Sequence, residues 1–253
     1  MRYDTLLMSG LELLLIGLAA LIGSAVTAIA GLGGGILLLS VLLQFLTPLE
    51  AIPVHAVIQL ASNSFRAFVL RKDVDWGIVG RFSLLLLPSG FAGLAVAGAF
   101  PVTLGSIFIA AFALLMVWWP RGLEKISLIL GGGKQSFFSL GALAGFLNIP
   151  FGVTGPAVAP VFRRELPVRT AMVATFAMAQ TAGHLAKISV FVGDGFVYSD
   201  RLDLICIGVV SVVVGTWIGT KILRHLSEEL FSHVFRIGLT VIALRVIISA
   251  VFT

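Results

Sequence analysis

Long apolar runs, broken by short glycine-, proline- or charge-bearing stretches, set the rhythm of this chain. About 20 apolar residues are needed for a helix to cross hydrocarbon. Read in order, the runs predict helical segments at about 11–30, 36–47, 51–70, 77–99 and 102–119. The polar stretch Pro120–Lys134 follows, and then further segments at about 136–149, 157–165, 167–192, 202–222 and 230–252. Two of them, 36–47 and 157–165, are too short to span alone. Each comes directly after a break: Gly31-Leu32-Gly33-Gly34-Gly35 in one case, Pro150-Phe151-Gly152-Val153-Thr154-Gly155-Pro156 in the other.

The two halves repeat one another. A constant offset of 121 places Gly31 on Gly152, Gly34 on Gly155, Gln59 on Gln180, Asn63 on His184, Arg66 on Lys187 and Gly98 on Gly219. Polar residues are scarce here, so gene duplication is the simple account. The expected division is a first membrane repeat at 1–122, a cytoplasmic connector at 123–135 and a second repeat at 136–253. Arg2 and the small residues Ala28 and Ala30 give the first segment the look of a signal peptide. Its counterpart in the second half argues for a membrane helix instead.

Composition narrows the class. Hydrophobic residues make up 58% of the 253 and charged ones only 11%, against about 25% charged in soluble domains. Mean hydropathy is +1.09. A soluble surface or a disordered chain needs more charge, so an all-α polytopic membrane protein is expected. The net charge of +5 reads as loop residues that orient helices, not as a nucleic-acid surface. The lone cysteine, Cys206, excludes an internal disulfide and a cysteine metal cluster, and is expected to be a buried small hydrophobe.

Charge also predicts orientation. Arg71, Lys72, Arg81, Arg121, Lys125, Lys134, Arg163, Arg164, Arg169, Lys221, Arg224 and Arg236 mark the cytoplasmic side by the positive-inside rule. The connectors near 100–101 and 193–200 carry no Lys or Arg and are placed outside. Lys134 and Arg163 then force 136–149 and 157–165 into a hairpin that enters and returns around its break. The same hairpin in the first half puts the N-terminus outside, with Arg2 as a contrary charge, and the C-terminus outside as well. The repeats are therefore inverted. Inverted repeats with short, interrupted helices are the pattern of many secondary transporters. Unwound backbone survives at membrane depth only against protein or a wet cavity. The start of a half-helix offers free N–H groups and a positive dipole end.

Polar residues inside the spans lie on single helix faces. Gln59, Ser62, Asn63 and Arg66 share one face, and Gln180, Gly183, His184 and Lys187 share another. Intramembrane ionisable groups point to a site. The alternatives are snorkelling for Arg66 and Lys187, a packed core histidine for His184, and helix–helix hydrogen bonds for Gln59, Asn63 and Gln180. Asn148 and Thr154 flank the second break, while His55 and His225 read as interfacial. No acidic residue lies deep in a span. Cationic groups and amides without a carboxylate suit an anion.

At these residues the chain resembles the TauE/SafE family of sulfite and sulfonate exporters. The likeness rests on Gly31-Leu32-Gly33-Gly34-Gly35, Gly152-Val153-Thr154-Gly155-Pro156, the stretch Gln59–Arg66 with Asp75-Trp76, and His184-Leu185-Ala186-Lys187. It covers about residues 15–250 and implies a plasma-membrane transporter of sulfur-containing or organic anions.

The expected mechanism is alternating access at mid-membrane. Gly33, Gly34, Gly35, Thr154 and Gly155 would hold the anion's oxygens from the half-helix starts. Arg66, His184 and Lys187 would supply charge or donors, and Gln59, Asn63 and Gln180 would orient the ion. No metal, cofactor or catalytic residue is expected. The partners are a small anionic substrate and the lipid bilayer, with a homodimer allowed and nucleic acid excluded. A passive anion channel needs the same pore chemistry. An intramembrane serine hydrolase would pair Ser24, Ser62 or Ser64 with His184, but no G-x-S-x-G motif occurs. A structural scaffold predicts no solute path.

Overall fold

The computed structural model describes residues 8–30, 34–99, 101–119, 121–122, 125, 132–221 and 228–252. Expectations for Gly31–Gly33, for most of the 123–135 connector and for His225 lie outside these residues. Among the described residues every regular element is helical.

Local caps explain where several helices start. Helix α1 (Gly10–Ala30) follows a capping box in which the Ser9 N–H donates to Glu12 Oε2 at 2.7 Å and the Glu12 N–H to Ser9 Oγ at 3.3 Å. The short α2 is Gly34–Leu42. A second box opens α3 (Pro48–Val69): the Thr47 N–H donates to Glu50 Oε2 at 3.2 Å, and Pro48 sits where its missing N–H costs nothing. Asp75 Oδ1 accepts the Ile78 N–H at 3.0 Å and starts α4 (Trp76–Ser83). Lys134 Nζ donates to the same carboxylate at 2.9 Å and, as the largest cause, holds the Asp75 pKa below its usual value. Helices α5 (Leu86–Gly98) and α6 (Val102–Trp118) complete the first half. The second half comprises α7 (Ser136–Asn148), α8 (Gly155–Glu165), α9 (Arg169–Gly193), α10 (Leu202–Lys221) and α11 (Glu228–Phe252).

These bounds follow the hydropathy pattern with two differences: α2 ends at Leu42, short of the expected 47, and one expected segment is divided. The expected segment 77–99 is two helices that meet at Leu84–Leu85. Pro88 is the physical reason. It cannot donate to the Leu84 carbonyl, and its ring crowds that same group. Among the described residues, three stretches are both long and apolar enough to cross a membrane: Gly10–Thr27, Trp76–Gly98 and Tyr198–Gly219. Exposed apolar residues stud the outer faces, such as Leu11, Leu14, Leu18 and Ile22 on α1 and Ile237, Val241, Leu244 and Ile248 on α11. Soluble monomers rarely carry such continuous apolar stripes.

Helices pack across the halves. Helix α1 lies along α10, α7 lies along α4 and α5, α3 lies along α9, and α6 lies along α11. Glycines set the close approaches. A Cβ at Gly215 or Gly219 of α10 would strike backbone atoms of Leu21 or Ala25 in α1. A Cβ at Gly141 or Gly145 of α7 would strike those of Phe82 or Leu86. Cys206 falls on the side of α10 opposite these contacts and is exposed, which corrects the expectation of burial. Its helical phase, not its apolar neighbourhood, decides this.

The two short helices differ in how they return. Helices α1 and α2 pack tightly, with Gly23 against Gly34. Helices α7 and α8 do not run against one another along their length. Their far ends are bridged by Phe137 and Phe162, with ring centroids 4.8 Å apart, and α8 packs on α9. Glycine permits the first contact. Gly34→Ala would drive its methyl into the Gly23 carbonyl. Overpacking of this kind costs about 1–3 kcal/mol. The variant is expected to melt several degrees lower in a detergent unfolding scan, and an unchanged melting temperature would refute the close contact.

Candidate functional site

The two polar stripes meet because α3 packs along α9. Between them lies a cleft lined by Gly35, His55, Gln59, Asn63 and Arg66 on one side and by Asn148, Gly155, Gln180 and His184 on the other. Thr27, Ile36, Val153 and Phe176 complete its wall. It offers about 50 Å³ of water-sized space. One water needs roughly 10–15 Å³ on this measure, so the cleft accommodates a few waters or one small ion.

Both half-helix starts reach the cleft. A Cβ on Gly35 would sit 3.5 Å from Gln59 Cδ, and one on Gly155 would sit 3.6 Å from Gln180 Nε2. The glycines therefore let each helix start approach a glutamine at paired positions of the two halves. Their donors are not equally free. The Gly34 N–H already donates to Thr27 Oγ1 at 3.0 Å, and that hydroxyl donates to the Gly23 carbonyl at 2.9 Å. Gly34 thus belongs to the α1–α2 contact and does not line the cleft. The start of α8 has no side-chain cap. Thr154 is buried there without lining the cleft, and Gly33 is outside the described residues.

Arg66 is the central electrostatic feature. It is only 8% exposed, and its Nε and Nη2 atoms are buried without a hydrogen-bond partner. The bundle encloses most of its side chain. A guanidinium stays protonated in proteins, and among the described residues no carboxylate lines the cleft. An uncompensated buried cation is strongly unfavourable, so this geometry calls for an anion.

Two histidines face the same space. His184 is buried, with Nδ1 unpartnered, and its ring lies 6.0 Å from that of His55. His55 corrects the sequence reading: it is 1% exposed and lines the cleft instead of sitting at an interface. Its Nε2 lies 2.9 Å from the Gly35 carbonyl, a bond in which Nε2 donates. This ties α3 to the start of α2 and leaves Nδ1 without a partner. The sequence does carry a periodicity signal for it, since His55 stands four residues before Gln59 on the stripe.

Lys187 takes a different place from the one its pairing with Arg66 suggests. It is 1% exposed, does not line the cleft, and donates Nζ to the Gly152 carbonyl at 2.5 Å. Gly152 has φ +71°, and a Cβ there would also press on Leu39 and Ile52. Lys187 therefore braces the unwound segment behind the cleft. Asn63 donates Nδ2 to the Gln59 carbonyl of its own helix at 2.9 Å, so this bond does not bridge helices. Gly183 lets the Asn148 amide approach α9, with 3.7 Å from its virtual Cβ to Nδ2.

Among the described residues no serine or cysteine lines the cleft. Among the described residues no group of three His, Cys, Asp or Glu is placed to hold a metal ion.

Comparison with known proteins shows the family. A curated protein of Cupriavidus necator, "Probable sulfite/organosulfonate exporter TauE", is 26% identical over 178 residues, covering 66% of this chain and 69% of that protein. No solved structure gives a significant match. The profile of the sulfite exporter TauE/SafE family matches residues 15–246, nearly the whole bundle around the cleft, and the chain belongs to that family.

Proposed function

We propose that this protein is a secondary transporter of small sulfur oxyanions, with sulfite and compact organosulfonates as the leading substrates. The observation that carries this reading is the Arg66 guanidinium, buried with two unpartnered nitrogens in a cleft without carboxylates. Sulfite has three acceptor oxygens and suits a site of donors. Gln59, Gln180, Asn148 and the two histidines would orient it, together with the open start of α8. The small volume favours compact ions in this conformation.

Alternating access between two inverted repeats is the proposed mechanism. The packing supports it. The α1–α10 contact has its counterpart in α7 on α4 and α5, while α3–α9 and α6–α11 pair matching helices of the two halves. The cleft lies between the halves, where rocking of one against the other would expose it to either side. The proposed setting is the plasma membrane, with both termini outside.

A thermal-shift screen in detergent tests the ligand class. Sulfite, thiosulfate, sulfoacetate, taurine and short carboxylates are compared at matched ionic strength. A ligand at about 100 times its dissociation constant stabilises the native state by about 2.7 kcal/mol. Sulfite or a sulfonate should raise the melting temperature by several degrees, and chloride should not. If none of the sulfur anions acts, the substrate assignment fails. Saturable counterflow in proteoliposomes separates a carrier from a passive channel.

A further inference from the structure

A second cationic cavity lies well away in sequence from the central cleft, where the end of α6 meets α11. It holds about 410 Å³ and is lined by Val117, Trp118, Trp119, Arg121 and Arg236. Below it the helices are joined by an apolar seam in which Ala110 packs with Ala243 and Val246, and Met116 with Leu239.

The cavity is preorganised. Trp118 Nε1 donates to Thr240 Oγ1 at 2.9 Å, and the Thr240 hydroxyl donates to the Arg236 carbonyl at 2.7 Å. The Arg236 guanidinium carbon stands 5.4 Å from the Trp118 ring centroid. The indole is therefore fixed by one helix turn of α11 and in turn supports the arginine of that turn. Arg121 supplies a second cation, and among the described residues no acidic side chain lines the cavity.

Depth identifies the occupant. The 17 residues of α6 rise about 25 Å, close to the hydrocarbon thickness of about 30 Å. With Pro101 near one interface, Trp118 and Trp119 fall near the other. Both tryptophans are more than half exposed, and such amphipathic rings settle at headgroup level. A basic cavity between two membrane helices at that depth matches an anionic headgroup. Its apolar walls, Val117 and the two indoles, suit the glycerol and upper acyl chain, which a free phosphate lacks.

We propose that this cavity binds the phosphate of an anionic phospholipid, with Arg121 and Arg236 as phosphate donors and the two tryptophans flanking the lipid backbone. The site is separate from the transport cleft and does not depend on which anion is carried.

Native mass spectrometry of the delipidated full chain tests it. Phosphatidylglycerol and phosphatidylcholine of identical acyl chains are titrated, with inorganic phosphate as a separate arm. Wild type should retain phosphatidylglycerol in preference. Each single variant, Arg121→Gln or Arg236→Gln, should weaken that retention about fivefold, and the double variant should abolish the preference. The double variant should still melt as wild type does and still respond to the transport substrate. Equal retention of the two lipids, or an unchanged preference in the double variant, overturns the proposal. So does displacement of phosphatidylglycerol by millimolar inorganic phosphate, which would make this a free-anion site.

Discussion

Arg66→Gln is expected to abolish sulfite-dependent thermal stabilisation and transport while leaving the empty protein as stable as wild type or more so. The sign follows from the site. Arg66 has no carboxylate partner in the cleft, and two of its nitrogens are buried unbonded. Removing such a charge relieves a desolvation cost and strands no partner. A purely structural arginine would behave in the opposite way, and its loss would lower the melting temperature. Hydrogen bonds to charged groups contribute about 1.5–3 kcal/mol each, so losing one should weaken anion affinity by about ten- to 150-fold. His184→Ala should reduce transport less, since it removes one donor and no fixed charge. Arg66→Lys should recover part of the binding, because the charge returns without the planar fork. Isothermal titration and proteoliposome uptake on the same preparations read both effects. Wild-type uptake by both Arg66→Gln and His184→Ala would sink the assignment of the cleft.

The largest loss of stability is expected at the opposite kind of charge. Arg201 Nη2 donates to Glu50 Oε1 at 2.5 Å, and both side chains are almost wholly enclosed, at 9% and 12% exposed. Glu50 uses its other oxygen to cap α3, accepting from the Thr47 N–H and hydroxyl. The pair links the start of α3 to the turn before α10, and hence one half of the chain to the other. Glu50→Ala strands a buried guanidinium and removes the cap together. Breaking one side of a buried pair costs about 3–5 kcal/mol, which corresponds to a fall of about 6–20 °C in apparent melting temperature for a chain of this size. Arg201→Met alone should cost less than Glu50→Ala, because the cap survives. The double variant Glu50→Gln with Arg201→Met should regain much of the loss, since no lone charge remains. A Glu50→Ala protein that melts like wild type would show that the pair does not hold the halves together.

These two arginines differ only through their surroundings. In the sequence both are single cations in or near apolar runs. Arg201 stands at the edge of an outer connector, and Arg66 lies five residues from Arg71, within reach of an interface by snorkelling. Folding gives one a carboxylate from 151 residues away and leaves the other facing a cleft. Lys187 carries the same lesson. The offset of 121 pairs it with Arg66, yet its ammonium braces the Gly152 carbonyl. Sequence offset proposes which positions correspond, but the use of each is set by its own neighbours.

Much of the architecture is legible in the amino-acid sequence. Helix bounds follow hydropathy because a span must satisfy its backbone internally and cover its length with apolar side chains. The interruption before α8 is legible because glycine and proline act on the local backbone. The shared faces of Gln59 with Asn63 and Arg66, and of Gln180 with His184, are legible because helical phase is set by spacing alone. What needs the third dimension is every property that depends on a neighbour from another helix. The α3–α9 contact turns two stripes into one cleft and draws His55 into it. The phase of Gly208, Gly215 and Gly219 against α1 and α3 leaves Cys206 exposed. Thr27 takes the first N–H of α2, and Phe137 meets Phe162 between the far ends of α7 and α8. Spacing and hydropathy are local quantities that a single helix already possesses, whereas burial, ion pairing and the freedom of a donor arise only when two helices pack.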